Sequence, residues 1–152
     1  MSLEARISQD LKEAMLAGQK ERVTTLRGLK SVLLYAKVAG KLDRSEELSD
    51  EAVTAILAKE AKKRQESADL YLQGGSKEKA DAELSEKSII EAYLPEQLSE
   101  EDIMQIIDAK ITELNASDAS QLGQIIGGVK QQVGSTADGA VVARLVKERL
   151  SR

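Results

Sequence analysis

The chain has 152 residues, a net charge of −4, 41% hydrophobic residues, and no Cys, His, Phe or Trp. Without cysteine there are no disulfides, thiolate nucleophiles or cysteine-ligated zinc; without histidine the commonest general base and transition-metal ligand are gone. A core must come from Leu, Ile, Val and Ala, because Tyr35, Tyr71 and Tyr93 are the only aromatic residues.

Apolar residues recur every three to four positions, the period of helices with one buried face. The first predicted helix runs from about Leu3 to Ala17, with Leu3, Ile7, Leu11, Ala14 and Met15 on its stripe, and Gly18 ends it. The second runs from about Lys20 to Ala39, with Val23, Leu26, Leu29, Leu33 and Ala36 inward and Gly40 as its C-terminal cap. Residues 41–48 read as a charged loop. Ser49 then caps a long helix whose first turn holds Asp50 and Glu51, favourable at the positive end of the helix dipole. Its stripe is Val53, Ile56, Leu57, Ala61, Ala68 and Leu72, and Gly74-Gly75 stops it.

A fourth helix covers roughly Lys77 to Leu94. Pro95, the single proline, cannot continue a helix, and the expected boundary falls at Pro95–Leu98. Ser99 and Asp102 form a capping-box-like start to a fifth helix, with Ile103, Ile106, Ile107, Ile111 and Leu114 inward. After the loop NASDAS come a sixth stripe, Leu122, Ile125, Ile126, Val129 and Val133, a turn at Gly134–Thr136, and a last helix capped by Asp138. That helix buries Val142, Leu145, Val146 and Leu150. No segment alternates with period two. The expected fold is all-α: an N-terminal subdomain of about four helices (1–94), then a C-terminal three-helix subdomain (95–152).

The charge is uneven. Residues 1–44 carry nine basic and five acidic residues (+4), residues 45–118 eight and nineteen (−11), and residues 119–152 five and two (+3). The opening residues do not read as a signal peptide, and the least charged stretch, SVLLYAKVAG, is too short to span a bilayer. A cytoplasmic chain with no membrane association is expected.

Each motif has a structural explanation to weigh. Gly74-Gly75-Ser76-Lys77 lacks the glycine spacing and preceding strand of a phosphate loop and reads as a helix break. The clusters Glu46, Glu47, Asp50, Glu51 and Glu100, Glu101, Asp102 sit at helix starts, where acids are expected. Lys59, Lys62, Lys63 and Arg64 read as a solvated face beside Glu60 and Glu66. No catalytic, cofactor-binding or metal-binding residue is assigned, and no cofactor is expected.

The sixth helix is more informative. Gly123, Gly127 and Gly128 lie inside it, and each interior glycine costs about 1 kcal/mol relative to alanine. On a helical wheel Gly123 and Gly127 fall about 100° to 140° from Leu122, with Lys130 beside them at about 80°. Either the glycines allow close packing within the subdomain, or they let another backbone approach. Arg144 and Lys147 project together from the seventh helix, opposite its stripe. Gly123, Gly127, Lys130, Arg144 and Lys147 are therefore the candidate nucleic-acid contacts.

EAYLPEQLSEEDI at 91–103, LGQIIGGVKQQVGSTADGAVVARLVKERL at 122–150 and the opening MSLEARISQDLKEAMLAGQKERVTTLRGLKSVL resemble the GatB/YqeY family, across essentially the whole chain. The C-terminal part is similar to the tail domain of the B subunit of glutamine-dependent aspartyl/glutamyl-tRNA amidotransferase, a tail associated with tRNA recognition. The resemblance implies a non-catalytic tRNA-associated accessory protein with a weak tRNA contact. It also confers the label carbon–nitrogen ligase with glutamine as amide donor, yet nothing here resembles the catalytic parts of that enzyme. The family commonly has more Lys or Arg where this chain has Gln124, Gln131, Gln132, Ser135 and Thr136. That difference favours the alternative of a protein–protein adaptor docking on a tRNA-modifying or aminoacylating complex.

Overall fold

A computed structural model describes residues 1–151. Among them are seven α-helices, two short 3-10 helices and no strand, the all-α class expected. The chain divides into two compact units, Met1–Leu94 and Pro95–Arg152.

The first unit holds α1 (Leu3–Leu16), α2 (Lys20–Ala39), α3 (Asp50–Gln73) and α4 (Lys77–Glu91). Ile7, Leu11 and Ala14 of α1 meet Leu26, Leu29 and Leu33 of α2, Val53, Leu57 and Ala61 of α3, and Ile90 of α4 in one core. Burying each large aliphatic side chain stabilises the fold by about 1.5–3 kcal/mol. The α3–α4 hairpin is closed by buried Ala68 and Ala80. Arg64 to Glu86 and Lys87 to Gln65, both at 2.8 Å, bridge its two helices.

Helix ends follow local chemistry. The Ser49 hydroxyl accepts from the Ala52 N–H, and Ser99 with Asp102 forms a complete capping box. At the C-termini, Gly18, Lys41, Gly75 and Asn115 adopt left-handed backbone. The pairs Gln19 N–H to Ala14 O, Leu42 N–H to Lys37 O, Ser76 N–H to Tyr71 O and Ala116 N–H to Ile111 O close the turns, as Schellman motifs do. At the end of α2 the left-handed residue is thus Lys41. Gly40, expected to serve there, keeps φ −82°.

The second unit packs α5 (Glu100–Leu114), α6 (Leu122–Val133) and α7 (Gly139–Leu150), with 3-10 turns at Ala119–Gln121 and Gly134–Thr136. Its core is aliphatic: Ile103 and Ile107, Ile125, Val129 and Val133, and Val142, Leu145 and Val146.

Four details depart from the sequence reading. Helix α4 ends at Glu91, because the Tyr93 and Leu94 N–H groups bond three residues back, to Ile90 O and Glu91 O. Ala119 and Ser120, the end of the expected NASDAS loop, form a 3-10 turn with Gln121, and the preceding Asp118 side chain accepts from the Ser120 N–H. Met15 and Leu72, placed on buried stripes, are about half exposed. Lys37 and Glu60 are buried instead. Lys37 pairs with Glu4, whose carboxylate also accepts from the Leu48 N–H at 2.9 Å. Glu60 takes Lys63 at 3.1 Å and Arg64 at 3.7 Å. Pairing is what makes a buried charge tolerable, and it removes part of the apparent basic patch on α3.

Candidate functional site

Helix α6 separates its three glycines by role. A Cβ on Gly128 would come within 3.2 Å of the Lys110 side chain of α5, so that glycine makes room for a helix-to-helix contact. A Cβ on Gly123 or Gly127 would meet no atom within 4 Å. Those two are not packing devices within the chain. They leave a strip of helix backbone open to solvent, with Lys130 at its C-terminal end on the same side.

Lys130 is exposed and makes no ion pair among the described residues. Its alkyl chain runs past Gly139, the first residue of α7, where a Cβ would sit 3.0 Å from Cε and 3.3 Å from Nζ. Glycine at 139 therefore gives the lysine its path along the surface. Lys147 on α7 is likewise exposed and unpaired among the described residues.

Arg144 is different. It bonds Glu100 and, at 3.1 Å, Glu148. Its hydrogen bonds to Glu148 and then Glu100 raise its already high pKa. Its charge is met locally by two carboxylates, so it offers less to a phosphate than its place opposite the core suggested. Arg149 is paired in the same way, with Asp108 at 2.7 Å. A shallow cleft of about 340 Å³ beside this pair is lined by Ile111, Thr112, Ala116, Ser117 and Leu150. None of the five candidate residues lines it.

A family model described as "Yqey-like protein" matches residues 4–150. The chain belongs to the Yqey-like protein family. The resemblance read from residues 91–103 and 122–150 is borne out at that level. The chain is also similar to "Altered inheritance of mitochondria protein 41, mitochondrial" of Kluyveromyces lactis. The two are 30% identical over 133 residues, which cover 82% of this chain and 68% of that protein.

In this Yqey-like chain a further polar cluster escaped the sequence reading. The Tyr93 hydroxyl donates to Asp10 at 2.5 Å. Arg22 lies 3.6 Å from the same carboxylate, and the Arg6 guanidinium stacks 4.9 Å over the tyrosine ring. Burial, followed by the Asp10 bond and charge, pushes the Tyr93 hydroxyl up to about 12. The cluster ties the end of α4 to α1 and α2. Among the described residues no group of three or more acidic side chains has metal-binding geometry, and no helix is long and apolar enough to cross a membrane.

Proposed function

We propose that this chain is a non-catalytic, tRNA-associated accessory protein of the cytoplasm. The observation that carries this reading is the solvent-open backbone strip of Gly123 and Gly127 ending at unpaired Lys130. Interior glycines cost helix stability, and here no packing within the chain recovers it. A strip without side chains lets a phosphate backbone come close, and Lys130 and Lys147 supply charge. Two phosphate contacts give a salt slope on the order of −1.5 to −2 in log K against log salt. Binding is accordingly weak, about micromolar or weaker at physiological salt.

The adaptor reading draws on a specific observation as well. Residues 95–152 hold nine acidic and six basic residues, a net −3, and Arg144 and Arg149 are both paired with acids. The deciding experiment is tRNA binding at low salt by the native chain, a Lys130→Gln/Lys147→Gln variant and Gly127→Leu. The first variant removes charge and the second fills the strip. Both are expected to keep full helicity and to weaken binding at least fivefold. Unchanged binding by both variants removes the C-terminal strip from the RNA contact and leaves it to a protein partner.

A further inference from the structure

We infer that the exposed surface of α2 is a tRNA-binding surface in its own right, with Arg27 and Lys41 on phosphates, Tyr35 stacked on an unpaired base, and Lys30 adding charge from a flank about 140° round the helix from Tyr35. This rests on the tRNA-associated reading above but uses a different unit of the molecule. Between Glu21 and Asp43 the chain has five basic residues and no acid. Two of the five are occupied, Lys37 by Glu4 and Arg22 by Asp10. Arg27, Lys30 and Lys41 are exposed and make no ion pair among the described residues, in a chain whose acids outnumber its bases. A run of unpaired cations with no acid between them, in an acidic protein, is a local arrangement suited to phosphate neutralisation.

The apolar part of the face points the same way. Tyr35 is 77% exposed, against 38% for Leu34, so the most available apolar group is a flat ring. Gly28 lies two turns before Tyr35 and within about 20° of it on the helix. A Cβ there would meet nothing within 4 Å, which leaves that side of the helix open about 10 Å before the ring. Aromatic rings on positively charged surfaces hold unpaired bases by stacking.

Lys41 adds an independent observation. It is held at φ 58°, where a lysine costs about 1–2 kcal/mol relative to glycine. That cost keeps a cation just past the C-terminal end of α2, whose last residue lies about 18 Å from Arg27 by helix rise.

The test uses labelled tRNA at low salt and the full chain. An Arg27→Gln/Lys30→Gln/Lys41→Gln variant is expected to lose at least tenfold in affinity, with the salt slope shallower by about 2 to 3. Tyr35→Ala should lose about tenfold with the slope unchanged, since stacking releases no counterions. Lys41→Gly should bind more weakly while folding more stably, so its loss of binding cannot come from unfolding. Native-like binding by all three, with Lys130→Gln/Lys147→Gln still impaired, overturns this inference and leaves the broader reading standing. Failure of the native chain to bind any tRNA overturns both. A glutamate-rich amphipathic peptide that displaces tRNA from the native chain and binds more tightly than tRNA would make the face a protein-docking surface and overturn the inference.

Discussion

Lys41 occupies the position that glycine or asparagine holds at the other left-handed helix ends, Gly18, Gly75 and Asn115. Its amide donates to Val38 O at 3.1 Å and the Leu42 amide to Lys37 O at 2.9 Å, so the turn is well made despite the strain on its central residue. Replacing Lys41 with glycine should therefore stabilise the chain by about 1 kcal/mol, measured by urea denaturation. A loss of stability would mean that the lysine side chain contributes more than the strain costs. Tyr93 gives a second prediction, in pH. Its hydroxyl is raised from 10.0 to about 12 in the folded chain, so the native state holds the proton more tightly than the unfolded state. The stabilisation is complete below about pH 10 and is lost as pH rises through about 12. Tyr93→Phe should be less sensitive to alkali across that window in thermal melts at successive pH values. An alkaline profile identical to that of the native chain would show that Tyr93 does not govern the loss. Neither feature is legible in the sequence: the tyrosine and Asp10 are 83 residues apart, and the left-handed turn falls one residue past the glycine that seemed to announce it.

At the scale of elements, the glycines of α6 give the sharpest contrast. Gly127→Ala should stabilise the chain by about 1 kcal/mol, because a methyl group there meets open solvent and alanine favours the helix. Gly128→Ala should gain little or lose, because its methyl group would press on the Lys110 chain at 3.2 Å. Equal effects in thermal melts of the two variants would contradict the assignment of one glycine to packing and the other to the surface. The helices themselves were largely legible. Apolar period and caps at Ser49, Ser99 and Asp138 marked six helix ends or stripes to within a residue or two, since both are local properties of the chain. Legibility stopped where a distant residue decides the outcome. The wheel placed Arg144 correctly away from the core, but Glu148 on its own helix and Glu100, 44 residues earlier, together take up its charge. Glu60 and Lys37 look solvated in sequence and are buried because partners from their own or neighbouring elements neutralise them. The open strip of Gly123 and Gly127 was visible as one of two alternatives, and only the empty space above it separates them.

For the molecule as a whole, charge is the controlling quantity. A net −4 chain repels nucleic acid on average, so any tRNA contact has to come from local faces where cations lack partners. Within residues 22–42, Arg27, Lys30 and Lys41 supply such cations, since Arg22 and Lys37 are paired, and Lys130 with Lys147 supplies a smaller set. The Yqey-like family assignment covers both units, through residues 4–150. The central claim, association with tRNA through these faces, is tested most directly by the salt dependence of tRNA binding to the native chain. Binding is predicted to be measurable at low salt and to fall with a slope of about −3.5 to −4.5 in log K against log salt, from the five phosphates those cations can neutralise. No binding at the lowest salt, or binding that does not change with salt, would contradict it.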